Sequence, residues 1–374
     1  MKGLKAHEAW RGKLRIASVP TIESMADLTL AYTPGVAEAS LAIVNDPSRT
    51  NALTWRGRLV GVISDGSAVL GLGNIGPDAA LPVMEGKCVL FKRFADLDAI
   101  PLVLDTQDPE AFIRTVVHLA PSLGAINLED IKAPECVHIE RTLKKLLSIP
   151  VFHDDQHGTA IVVLAGLINA LTVVQKARED VKVVLSGLGA AGSAITKLLA
   201  ASGFKHLVGF DVLGKLHPNR VTNALEEELV SYLERSNPTQ SLQEALIDAD
   251  VFIGVSAGNI LNAKDIQAMN EGAIVFALAN PTPEISYQEA HEAGAAVVAT
   301  GRSDAPNQIN NVLAFPGLIR AALMLELSQF DEQHYLKAAH AIAALVDRPT
   351  PTHIVPTVFD ERLTQALYEA LKNT

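Results

Sequence analysis

The sequence predicts an α/β protein of two domains: an N-terminal α/β domain over residues 1–157 and a C-terminal doubly wound parallel-sheet domain over residues 158–374. Three observations carry this. From about residue 181, short β-rich runs at 181–185, 206–210, 251–255, 273–278 and 296–299 alternate with helix-like segments, the pattern of parallel strands joined by right-handed crossovers. The first half alternates too, with runs at 59–63, 88–91, 101–104, 124–128 and 150–152, which predicts a second, separate layer. Finally, 374 residues with 48% hydrophobic content suffice for two cores.

The elements follow in order. The boundary falls near 155–158, where an uncharged stretch, 158–174, carries the chain from one domain to the other. Its length is at the lower limit for a membrane span, and its polar Thr159, Asn169 and Thr172 and acidic flank predict a buried helix instead. After about Phe315 the chain reads as helices, interrupted by a loop at Pro349-Thr-Pro-Thr. A net charge of −11 argues against a nucleic-acid partner, because neutralising phosphates needs a basic face. Cys88 and Cys136 are too few for a disulfide framework, and the charged N-terminus lacks an apolar signal core, so a reducing, cytoplasmic setting is expected.

Two clusters of carboxylates each close an apolar run. Residues 124–128 lead into Glu129-Asp130, and 150–152 lead into His153-Asp154-Asp155. Adjacent strand ends would bring these together, and an all-oxygen set suits Mg²⁺ or Mn²⁺. Helix capping is the plainer reading of Glu129-Asp130 alone. His153 and His157, four apart, suggest zinc, but no HExxH is present and cysteines are few.

The segment Val181-Lys-Val-Val-Leu-Ser-Gly-Leu-Gly-Ala-Ala-Gly reads as strand, turn and helix start. Gly187, Gly189 and Gly192, with Leu188, Ala190 and Ala191 between them, have the spacing that lets backbone amides approach a pyrophosphate in a Rossmann-like domain. Asp211, closing the next strand, is placed to accept from ribose hydroxyls, which favours NAD; Lys215 nearby leaves NADP open. Asn280 and Asn311 follow later runs and suit either ligand contacts or turns and caps. In the first half, Tyr32 precedes a Thr-Pro-Gly turn, and Ser64-Asp-Gly-Ser-Ala-Val-Leu-Gly-Leu-Gly-Asn-Ile-Gly can wrap a small anion or form a plain loop. Lys87 reads as lying directly before a buried strand, where desolvation or a metal lowers its pKa.

Taken together, these segments resemble the malic enzyme family in its short bacterial form. The matching blocks are Leu30-Ala-Tyr-Thr-Pro-Gly-Val-Ala-Glu, the 64–77 loop, Met84-Glu-Gly-Lys, Ile126-Asn-Leu-Glu-Asp-Ile, Phe152-His-Asp-Asp-Gln-His-Gly-Thr-Ala, Ala277-Leu-Ala-Asn-Pro and Asn307-Gln-Ile-Asn-Asn-Val-Leu-Ala-Phe-Pro-Gly. The resemblance implies oxidative decarboxylation of malate to pyruvate and CO₂ with NAD(P) and Mg²⁺ or Mn²⁺, by a homodimer. It implies Glu129, Asp130 and Asp155 as metal ligands, Lys87 as the base for the C2 hydroxyl, Tyr32 as the acid at C3, and Asp154 as support for Lys87. Asn280 and Asn311 match positions that bind substrate and the nicotinamide end. The loop at 65–68 lacks the arginine of larger relatives, and Asp211-Val-Leu-Gly stands where relatives tend to read Asp-Ser-Lys-Gly. Alternatives are a metal-dependent oxaloacetate decarboxylase or a malolactic enzyme on the same scaffold, and a silent nucleotide-binding regulator.

Overall fold

The structure is a computed structural model that describes residues 2–69 and 71–372. Two sheets organise it. In the first, β1 (Leu59–Ser64), β2 (Asp98–Val103), β3 (Ala125–Leu128) and β4 (Val151–His153) are all parallel, in the order β2-β1-β3-β4. In the second, β5 (Lys182–Ser186), β6 (His206–Asp211), β7 (Gly214–Lys215), β8 (Val251–Gly254), β9 (Ile274–Ala277) and β10 (Val297–Thr300) run in the order β10-β9-β8-β5-β6-β7. Only β7 is antiparallel, a two-residue edge hairpin on β6 too short to leave a period in the sequence.

Parallel strands are covered on both faces, so they read as continuous apolar runs. In the second sheet the pleat divides them. Val183, Leu185, Leu207, Ile253 and Phe276 face the large core shared with the first sheet, while Val184, Val208, Phe252 and Val275 face a separate cluster on the far side.

One expected strand is a helix. The run at 88–91 lies inside the 20-residue helix Gly76–Ala95, whose buried residues Ala80, Met84, Lys87, Cys88, Phe91 and Ala95 keep a helical spacing. Four consecutive apolar residues cannot distinguish a strand from a buried helical segment, and here the longer period decided. The uncharged stretch forms the helix Thr159–Val174, packed within the core as predicted. With the turn before it, it is the one helix long and apolar enough to cross a membrane among the described residues, and 67% of its apolar window is buried inside the protein. By contrast, the helices Lys2–Trp10, Met25–Ala31 and Val36–Asn45 bury no residue, and Ile16, Leu30 and Val44 lie open on that arm.

At the amino ends of β5 and β8, Asp250 accepts hydrogen bonds from Lys176 Nζ (2.7 Å), the Lys182 amide (2.9 Å) and Asn270 Nδ2 (3.0 Å). Burial alone would raise its pKa, but these donors outweigh it and hold the carboxyl below its ordinary value. Asp250→Asn is therefore expected to cost roughly 1.5–3 kcal/mol near neutral pH, the range for hydrogen bonds to a charged group. A depressed folded pKa gives stability that is complete above the unfolded value, near 4, and fades as pH falls through the folded one. Urea titrations should show wild type and variant converging below about pH 4.

Candidate active site

Both sheets reverse strand order beside their central strand, between β1 and β3 and between β5 and β8. Ligands of open α/β sheets bind at the carboxyl ends of strands at such points. The predicted carboxylates lie at the first. Glu129 and Asp130 follow β3, and Asp154 and Asp155 follow β4 on one π-helical turn, Asp154–Gly158. Glu129, Asp130 and Asp155 each offer an oxygen within 4.8 Å of the others. Asp155 Oδ2 accepts from the Asp130 amide (2.8 Å), and the Asp130 carbonyl accepts from Ala68 (3.0 Å), which pins Asp130 at φ +54°. Gly158 is required by close approach, since an added Cβ would overlap the Asp154 carboxylate.

Lys87 enters this cluster from the helix Gly76–Ala95, not from a strand. Its Nζ lies 2.6 Å from Asp154 Oδ2 and 2.8 Å from Glu129 Oε1, and 4.4 Å from the centre of the Phe315 ring. Burial opposes its charge, yet Asp154, Glu129 and Asp155 outweigh burial and hold the ammonium above the usual lysine range, contrary to the expected lowering. Burial pushes Glu129 and Asp154 up to about 7 and Asp155 up to about 6, with Lys87 opposing in each case. One lysine thus faces a surplus of carboxylates, and this fits a hard divalent cation at Glu129, Asp130 and Asp155.

Asn311 also reaches the cluster, its Nδ2 2.5 Å from Asp154 Oδ2. Asn280 follows β9, and its carbonyl is met by Gly71 so closely that a Cβ there would overlap it; the glycine-rich loop after β1 thereby touches the second sheet. Leu70 of that loop lies outside the described residues. Tyr32 is not brought in: it is 68% exposed on the N-terminal arm, with no hydrogen bond to the cluster among the described residues. His157 instead binds Glu140 at 2.8 Å, and buried His153, pushed down to about 4 by burial, has no hydrogen-bond partner at either ring nitrogen among the described residues.

At the second switch point Gly187 sits at φ +95°, and a Cβ on Gly192 would overlap the Gly187 carbonyl, so both glycines are needed for the turn into the helix Ala190–Ala201. Leu188, Gly189, Ala190 and Ala191 complete the turn. Asp211 accepts from the Leu213 amide (2.7 Å) and pairs with Arg220 (2.8 Å). Lys215, a candidate for a 2′-phosphate, is instead buried, with Nζ on the Ser236 carbonyl (2.5 Å) and Gln240 Oε1 (3.1 Å). Sequence reasoning missed Arg220, Phe315 and Asn127, whose Nδ2 donates to Glu129 Oε2 at 2.8 Å. Asn127 lies on β3 two positions before the proposed ligand Glu129 that follows the strand, and that spacing was the available signal.

A dinucleotide-type crevice joined to a carboxylate cluster with a buried lysine defines a nucleotide-dependent oxidoreductase. Comparison with known proteins narrows the class. The model of the malic enzyme N-terminal domain matches residues 11–144, and that of the malic enzyme NAD binding domain matches residues 156–364. An NAD-dependent malic enzyme of Geobacillus stearothermophilus is 50% identical over 370 residues, covering 97% of this chain and 77% of the relative. A bifunctional malic/malolactic enzyme of Bacillus subtilis is 47% identical over 374 residues, covering 99% and 91%. The crystal structure of an NAD-dependent malic enzyme from Thermotoga maritima superposes with a TM-score of 0.96 at 47% identity, covering 100% of this chain and 99% of the other. The chain belongs to the malic enzyme family.

Proposed function

We propose that this chain oxidatively decarboxylates L-malate to pyruvate and CO₂, reducing NAD(P), with Mg²⁺ or Mn²⁺ as metal. The observation that carries the reading is the buried contact of Lys87 with Asp154 and Glu129 beside the Glu129–Asp130–Asp155 trio. In this reading Glu129, Asp130 and Asp155 hold the metal, which when bound offsets the carboxylate charge and stabilises negative charge developing on the substrate oxygen. Lys87, freed of its own proton once bound metal would offset the carboxylates that hold it charged, takes the C2 hydroxyl proton as a neutral amine while hydride leaves C2 for the nicotinamide, and Asp154, 2.6 Å away, orients that amine. The C4 carboxylate then departs as CO₂, leaving its electron pair as an enolate, and Tyr32 protonates C3. Asn311 and Asn280 orient substrate and nicotinamide, the 187–192 turn holds the pyrophosphate, and Asp211 the ribose. NAD is the favoured cofactor, because Asp211 places its carboxyl group at the ribose edge and Lys215 is engaged elsewhere.

The division at 157/158, a cytoplasmic setting and a homodimer complete the reading. Free, buried Cys88 and Cys136 suit a reducing compartment. The exposed apolar residues of the N-terminal arm suit pairing with a second copy, and Tyr32, carried on that arm, is inferred to reach the reacting carbon only in the assembled dimer. The test is absorbance at the NADH band with L-malate, Mn²⁺ and NAD or NADP, alongside pyruvate and lactate assays. Reduced cofactor equimolar with pyruvate supports the reading. Lactate without net reduction would select malolactic chemistry, the activity named for the Bacillus subtilis relative. Pyruvate formed from oxaloacetate alone would leave a decarboxylase.

A further inference from the structure

The turn that presents Asp154 and Asp155 is gripped from its opposite side by a buried polar network with no part in the chemistry above. Asp154 and Asp155 meet Lys87 and Asp130, whereas the next two residues of the turn meet Glu140 on the helix Glu135–Leu146. Gln156 Nε2 donates to Glu140 Oε2 (3.2 Å), and His157 Nε2 lies 2.8 and 2.9 Å from the two Glu140 oxygens. Lys144 Nζ stands 2.7 Å from Glu140 Oε1 and donates to the Tyr335 hydroxyl at 3.0 Å. The Tyr335 ring stacks on His157 with centroids 4.4 Å apart.

Glu140 is only 3% exposed, and a carboxylate taken out of water is costly unless donors saturate it. Apolar side chains would fill the same space at less cost. What the network adds is direction. A π-helical turn is wide and uncommon, and such turns recur at functional sites. Two of the groups bonded to Glu140 come from this turn, so the carboxylate ties the turn to the helix Glu135–Leu146.

We propose that Glu140 and His157 are positioning residues of the reaction, clamping the turn so that Asp155 stands at ligand spacing from Glu129 and Asp130 while Asp154 meets Lys87. The inference rests on the metal assignment above. His157→Phe is the test, because it keeps an aromatic ring to stack on Tyr335 and removes the nitrogen that meets Glu140. Mn²⁺ binding is read without substrate, by the electron paramagnetic resonance signal of free Mn²⁺, together with kcat and NADH binding. The expected result is a Mn²⁺ affinity about 10- to 100-fold weaker and a lower kcat, with NADH binding kept. Glu140→Gln, which preserves shape, should weaken Mn²⁺ in the same direction. Leu143→Ala, in the same helix but outside the network, should lower Tm and leave Mn²⁺ affinity unchanged. Wild-type Mn²⁺ affinity in folded His157→Phe and Glu140→Gln would overturn the inference, as would a loss that Leu143→Ala reproduces at an equal fall in Tm. Wild type that binds no Mn²⁺ would instead remove the metal assignment, and the inference with it.

Discussion

Lys87→Ala is expected to lower kcat by about 10³-fold or more while NADH still binds, in line with the roughly 10²–10⁴-fold worth of a positioned acid or base. The buried ammonium is the sole cation in contact with Asp154 and Glu129 among the described ion pairs. Its removal takes away the charge that steadies those carboxylates and, with it, the amine that accepts the C2 hydroxyl proton once the ammonium has given up its own. The two effects separate experimentally. Loss of the acceptor lowers kcat, whereas loss of a positive charge makes the pocket more negative and should leave Mn²⁺ affinity equal or tighter. Steady-state kinetics, NADH fluorescence titration and Mn²⁺ binding on one preparation check all three. Near-normal turnover would end the assignment of Lys87 as the base, and a parallel collapse of NADH binding would point to general unfolding.

Asp155→Ala should remove metal-dependent turnover and weaken Mn²⁺ by more than the loss of one ligand. Asp155 is an oxygen donor in the trio, and its Oδ2 also accepts from the Asp130 amide at 2.8 Å. Asp130 sits in the left-handed region, which a non-glycine residue occupies at some cost, and that bond helps hold it there. Truncating Asp155 therefore releases a second ligand along with the first. Titration of Mn²⁺ into the variant measures the effect, and affinity unchanged from wild type would take Asp155 out of the ligand set. Comparison with Glu129→Ala, where no such backbone bond is lost, isolates the contribution of the coupling.

Much of this site was legible because strand ends carry it. Glu129, Asp130, Asp154 and Asp155 each follow an apolar run, and parallel pairing of β3 with β4 was enough to bring them together. The glycine spacing at 187–192 and Asp211 were readable for the same reason: a crossover after β5 fixes where the turn must lie. Lys87 was found but misplaced, since the periodicity of a buried helix is lost within a window as short as 88–91. Long-range partners left no local trace. Asn311 meets Asp154 across 157 positions, and Lys144 meets Tyr335 across 191. Tyr32 was legible as a motif residue, yet its surroundings are solvent in the single chain, because the arm around it has nothing of its own to pack against.

The helix Thr159–Val174 begins where the carboxylate-bearing turn ends, with no flexible link between them. Midway along it, Gly166 packs against Ile309, Phe276 and Val355, and a Cβ there would lie 2.9 Å from Ile309 Cδ1, so that those side chains would have to shift. Turn and helix are continuous, with the candidate ligand Asp155 at one end and the hydrophobic interior along the rest. A displacement of roughly 1 Å at a reacting group can cost about a hundredfold in rate. Core substitutions along this helix will therefore register as defects in metal use and turnover even where the protein stays folded, so a screen for lost activity will return positions far from any substrate.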